Sequence, residues 1–124
     1  MKIGLLVYPG CVASGLFAFA ELLEVANKRA GLSLFTTHWL GVDDKDVAIT
    51  VGNKTLVTTI EVEGALLDTD IDALLIPGFW TNNPRHVERT MQTYKPLVSA
   101  LKKLPVYTQL WGYCTAVCLM AAAG

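Results

Sequence analysis

The residues best placed to do chemistry lie at Gly112-Tyr113-Cys114-Thr115. A half-apolar run, Val106-Tyr107-Thr108-Gln109-Leu110-Trp111, leads into them, and an alanine-rich run, Ala116-Val117-Cys118-Leu119-Met120-Ala121, leads away. This is the pattern of a strand, a tight elbow and a helix, with a thiol on the elbow. Such an elbow holds a reactive atom at the carboxyl edge of a sheet. A thiol beside a helix N-terminus also feels the positive end of the helix dipole, which favours the thiolate. Cys114 is therefore the candidate nucleophile or ligand-site thiol, and a nucleophile would need a base from elsewhere in the chain. Cys118 lies one helical turn further on and is expected to face the core. Cys11 follows the first strand, where it can line the same cleft or serve as a plain loop thiol.

A thiol on an elbow needs a sheet behind it. Residues 3–8 form a continuous apolar run, as in a strand covered on both faces, and Pro9-Gly10 ends it. Residues 14–30 read as a helix, with Leu16, Phe19, Ala20, Leu23, Ala26 and Ala30 on one face, Ser14 as N-cap and Gly31 just past the end. Residues 34–42 are extended. Val47, Ile49 and Val51 alternate with polar neighbours, and Gly52-Asn53 can turn the chain back through residues 55–59, an expected hairpin on the sheet edge. Residues 62–67 are ambiguous. Residues 72–76 form a short buried strand ended by Pro77-Gly78, and residues 79–83 form a loop. Pro96 divides the following region into helices at 85–93 and 96–104, because a mid-helix proline removes a donor and clashes with the preceding turn. The last strand is expected at 106–110 and the last helix from Cys114 or Thr115. Alternating strands and helices predict an α/β sandwich around a mainly parallel sheet, in one domain spanning 1–124.

In such sheets ligands bind outside the carboxyl ends of the strands. Three punctuated ends, Tyr8-Pro9-Gly10-Cys11, Ile76-Pro77-Gly78-Phe79-Trp80 and Trp111-Gly112-Tyr113-Cys114, should therefore meet at one rim. Gly78, Phe79, Trp80, Cys114, Thr115 and Cys11 are the candidate ligand-binding residues. Trp80 and Trp111 can wall an apolar pocket or simply pack. His38 and His86 read as structural or solvated residues. Two histidines without paired acidic ligands argue against a metal site, and isolated glycines against a phosphate loop, so no metal and no cofactor are expected.

Composition narrows the classes further. The chain has 124 residues, 52% of them hydrophobic and 17% charged, with a formal net charge of −1. That is more apolar content than a free-standing domain of this size needs, so a large interface or a longer domain is expected. Lys28-Arg29 and Lys102-Lys103 sit where cations suit helix C-termini, and nothing resembles a nucleic-acid grip. No apolar run is long enough to span a membrane. Three cysteines without zinc spacing suit a reducing cytoplasm.

The opening Ile3-Gly4-Leu5-Leu6-Val7-Tyr8-Pro9-Gly10, the Asp72-Ala73-Leu74-Leu75-Ile76-Pro77-Gly78 segment and the Gly112-Tyr113-Cys114-Thr115-Ala116 elbow together resemble the PfpI-like branch of the class I glutamine amidotransferase superfamily. The nearest flavour is the N-terminal sensor domain of AraC-type transcription regulators. The resemblance spans essentially the whole chain. It implies a flavodoxin-like three-layer sandwich, truncated at its C-terminal end, in a domain that commonly dimerises. It also implies that the family's histidine and closing strands would follow Gly124. The family's catalytic acid would fall at Gly15, the usual glycine after Cys-Thr is Ala116, and the second loop glycine is Phe79.

These departures predict a sensor rather than an enzyme. The expected role is to bind a small metabolite at the elbow and to form a homodimer, touching DNA only through a downstream domain outside this chain. Backbone amides near Phe79 and Thr115 would hold a ligand oxygen, with Cys114 as a wall. The alternative is a cysteine-dependent hydrolase, hydratase or glyoxalase-like enzyme with Cys114 as nucleophile.

Overall fold

A computed structural model of the chain describes residues 1–50, 56–81 and 83–124. Strands β1 (Lys2–Leu6), β2 (Thr36–Gly41), β5 (Gly64–Ala65), β6 (Ala73–Ile76) and β7 (Gln109–Gly112) form one sheet in the order β5-β2-β1-β6-β7. Each neighbouring pair in it runs parallel. Helices α1 (Ser14–Ala30), α2 (Val87–Thr93), α3 (Lys95–Lys102) and α4 (Ala116–Ala123) flank it. This is the expected α/β architecture, consistent with a flavodoxin-like sandwich.

The continuous apolar runs become the inner strands. Ile3, Leu5 and Leu6 of β1 and Ala73, Leu74 and Ile76 of β6 have no solvent exposure. Both faces of these strands are covered, as parallel sheets require. Helix α1 turns Leu16 and Leu23 inward, with Phe19 and Ala20 packed beside them. It ends where Gly31 takes a left-handed conformation (φ 71°) and donates its N–H to the carbonyls of Asn27 and Lys28. Pro96 lies in the first turn of α3, so the proline starts a helix instead of breaking one.

Some local expectations shift. The residue before α1 is Ala13, which offers no side-chain cap, and Ser14 is the first helical residue. The final strand begins at Gln109, not Val106, because the Thr108 N–H bonds back to the Pro105 carbonyl and curls the chain first. The ambiguous segment resolves into β5 and a single 3₁₀ turn at Leu66–Asp68. The hairpin forms from β3 (Val47–Thr50) and β4 (Leu56–Ile60), but as its own two-stranded sheet and not as an added edge. Its expected turn at Gly52-Asn53 lies outside the described residues. Among the described residues, no helix is long and apolar enough to cross a membrane.

Candidate functional site

Topology and register fix where a site belongs. From β1 the chain runs outward through β2 to β5, then returns across β1 to β6 and β7. The sheet therefore reverses direction between β1 and β6, the position where open α/β sheets form a ligand crevice. Leu5 pairs with Leu75, and Ile76 with Gly112. The segments that follow these pairs leave the sheet at one level. Tyr8-Pro9-Gly10, Pro77-Gly78-Phe79 and Tyr113-Cys114 consequently meet at a single rim.

Direct contacts tie the three bends together. Val12 donates its N–H to the Gly78 carbonyl, and Trp80 donates to that of Gly10. Cys11 and Phe79 form an isolated antiparallel bridge. The Thr115 hydroxyl accepts the Phe79 N–H at 2.7 Å and donates to the Phe79 carbonyl at 2.9 Å. A Cβ on Gly78 would fall 2.9 Å from the Cys114 Cβ and from the Thr115 N and Oγ1. Only glycine lets the second and third bends approach so closely.

Three tyrosines act as struts behind this rim. Tyr8 donates to the Pro77 carbonyl, Tyr94 to that of Pro9 and Tyr113 to that of Val12. The Tyr8 and Tyr94 rings meet edge to face at 5.0 Å, and the Phe79 ring lies 5.5 Å from Tyr94. Burial pushes the Tyr113 phenol up to about 12 and raises Tyr8 and Tyr94 as well, so all three remain neutral donors. Sequence reasoning did not identify this role. The only signal was that Tyr8 and Tyr113 each sit beside a bend.

Each expected site residue can now be placed. Cys114 is exposed and has φ 58°, the only left-handed non-glycine residue among those described. That strained geometry is the mark of an elbow. Thr115 and Gly78 pack directly against it. Trp80 is 45% exposed, after the second bend. Phe79 and Cys11 are almost fully buried, so each shapes the rim from beneath. Burial also raises the Cys11 thiol pKa, which keeps it protonated. Trp111 packs edge to face on Phe19 at 6.0 Å, a core contact. Cys118 is half-buried against the core. His38 pairs with Glu63 at 3.7 Å on the sheet, and His86 is exposed ahead of α2. No cluster of histidine, cysteine and acidic residues among those described could hold a metal.

Two details revise the expected chemistry. The Phe79 N–H is already engaged by Thr115, so it is not free to meet a ligand oxygen. The N–H groups of Cys114 and Thr115, in contrast, have no protein acceptor among the described residues. The second detail concerns Gly15. A Cβ there would fall 2.5 Å from the Tyr113 ring. The place where the resemblance puts a carboxyl group is therefore filled by a phenol ring.

No protein-family model matches the chain, and neither does any curated protein. Among solved structures, the chain is similar to one from Vibrio parahaemolyticus described as a transcriptional regulator protein. The TM-score is 0.73 at 17% identity, over 100% of this chain and 61% of that one. The chain thus spans about three-fifths of that protein's length. A second similar structure, an AraC family transcriptional regulator from Pseudomonas putida, gives a TM-score of 0.43 at 14% identity, over 98% of this chain and 84% of that one. At such identities the likeness establishes the fold alone: a mostly parallel α/β sandwich of the kind found in a regulator.

Proposed function

We propose that this chain is the small-molecule-sensing and dimerising part of an AraC-type transcription regulator. It would be built on a PfpI-like domain and act in the cytoplasm, with the DNA reader outside the chain. The observation that carries the reading is the elbow itself: an exposed Cys114 with two unengaged N–H groups, held against Gly78, the bend that follows β6 beside the sheet's reversal point. Amides at a strand-to-helix elbow hold anionic or carbonyl oxygens well. The expected ligand is a small carboxylate or carbonyl compound, bound by the Cys114 and Thr115 amides with Trp80 covering it. The regulator likeness of the fold is in keeping with this role.

The cysteine-enzyme alternative needs a carboxyl group near the thiol and a pair of free oxyanion donors. The Tyr113 ring fills the space over Gly15 where that carboxyl would stand, and the Phe79 amide, expected as one of the oxyanion donors, is occupied by Thr115.

The test is an amide chemical-shift titration of the chain with acetate, pyruvate and benzoate. Saturable shifts at the Cys114 and Thr115 amides are expected, retained in Cys114→Ser. Shifts scattered over the surface, or none at the elbow, would end the sensor reading.

A further inference from the structure

Helix α1 buries one face and leaves an unusual surface on the other. Leu22 is 65% exposed, Val25 49% and Phe17 42%, and Ala18 is exposed beside them. At 100° per residue, Ala18, Leu22 and Val25 form one apolar stripe along the outer face, closed by Arg29. Glu21 and Lys28, both exposed and seven residues apart, lie on the same flank of that stripe. The acidic residues Glu21 and Glu24 occupy the middle of the helix, and the basic residues Lys28 and Arg29 its last turns.

We propose that this face is where a second copy of the chain docks, with the two α1 helices antiparallel across a two-fold axis. An isologous contact must be self-complementary, because each patch meets itself reversed. Reversing α1 about a point between Leu22 and Val25 places Leu22 beside Val25 of the second copy. The same operation brings Lys28 of the second copy to within about 3 Å along the axis of Glu21, a gap these long side chains span, and likewise Glu21 of the second copy to Lys28. A parallel two-fold would put Glu21 of one copy and Lys28 of the other on opposite flanks of the seam, out of each other's reach. The contrasting surface is the 490 Å³ groove between α2, α3 and α4, whose charged lining is Lys95 and Lys102 alone. That groove would meet a copy of itself with like charges, so it is not a two-fold surface. The α1 face also continues toward the sheet through Phe17, whose ring lies 5.6 Å from Trp39. Helix α1 begins at the rim as well, since Gly15 in its first turn packs on Tyr113.

This inference rests on the dimerising part of the reading above and names its surface. The experiment is sedimentation equilibrium on the 124-residue chain at low salt, with circular dichroism to confirm folding. The parent should be a dimer. Glu21→Lys and Lys28→Glu should each weaken association about tenfold, and the double reversal should restore it. Leu22→Glu should give a folded monomer, because Leu22 is mostly exposed in the single chain. A monomeric parent overturns both this surface and the dimerising role. A dimer unaffected by Leu22→Glu and by both reversals overturns only the surface. Weakening by each reversal without recovery in the double variant overturns the antiparallel pairing.

Discussion

Strands β6 and β7 are hydrogen-bonded neighbours of equal length that end at the same rim, yet they are held there by different means. All four residues of β6 are buried, and its bend at Pro77-Gly78 is buried too. Strand β7 has exposed ends and a half-buried middle, and its elbow is exposed at Gly112 and Cys114. Apolar packing on both faces fixes the first bend. The second depends on a few polar side chains: the Thr115 hydroxyl on Phe79 and the Tyr113 hydroxyl on the Val12 carbonyl. A buried bend and an exposed elbow are thus adjacent at one rim.

The largest expected effect tests the packing side of this contrast. Leu74 in β6 is fully buried and pairs in register with Leu110 in β7, which is half-buried. Leu74→Ala should cost about 3 kcal/mol, because it removes buried methylenes and leaves a cavity. Leu110→Ala should cost about 1 kcal/mol. Urea denaturation at unchanged slope measures both. Equal costs would show that β7 is as deeply held as β6, and the contrast would fail.

The next effect tests the polar side. Thr115→Val keeps the shape of the side chain but removes the hydroxyl that satisfies both the N–H and the C=O of Phe79. Leaving the buried N–H unpaired should cost about 2 kcal/mol. Amide exchange should accelerate at Phe79 while the Ile3 and Leu74 amides stay protected. Thr115→Ser, which retains the hydroxyl, should behave like the parent. Faster exchange throughout β6 as well would mean that the two bends are one cooperative unit.

The contrast also explains what could be read from the sequence. The inner strands announce themselves as unbroken apolar runs, and α1 by its spacing and its closing Gly31. The meeting of the three bends follows from strand order, because each Pro-Gly or Gly-Tyr-Cys ends a parallel strand. Sequence alone could not show that Thr115 would take the Phe79 amide, since a threonine after an elbow cysteine reads equally well as a helix start or as a ligand donor. Nor did Gly15 reveal that it makes room for a ring lying 98 residues further along. Such long-range side-chain choices are set by packing, which leaves no periodic trace. The same holds for the hairpin: its alternation was legible, but whether it joins the main sheet depends on what the edge strand β5 can accept.

A smaller effect separates the struts from the core through pH. Burial holds the Tyr113 pKa at about 12, above its ordinary value of 10.0. The fold therefore favours the neutral phenol. This contribution is fully present below pH 10 and is lost as pH rises from about 10 toward about 12. Cys11, Tyr8 and Tyr94 are raised in the same direction, so the chain should weaken in alkali through several groups at the rim. Tyr113→Phe should flatten part of that alkaline loss in pH-dependent thermal melts. It should cost about 1 kcal/mol at neutral pH through the lost bond to Val12. An unchanged alkaline profile would show that Tyr113 titrates normally and is not a buried strut.

The smallest expected change is that of Cys114→Gly, at the elbow residue itself. Cys114 sits at φ 58°, where an L side chain costs about 1–2 kcal/mol. Glycine relieves that strain but adds about 0.5–1 kcal/mol of unfolded-chain entropy. The two terms nearly cancel, so Cys114→Gly should match the parent within about 1 kcal/mol. Cys114→Val keeps the strain and crowds a β-branched side chain toward Gly78, whose absent Cβ already marks the tightest approach at the rim. It should lose about 2 kcal/mol. Chemical denaturation of the pair decides the matter. If glycine stabilised the chain by well over 1 kcal/mol, the elbow would store more strain than its dihedral implies. If valine were harmless, Cys114 would not occupy the left-handed position, and the thiol would not stand at the rim against Gly78.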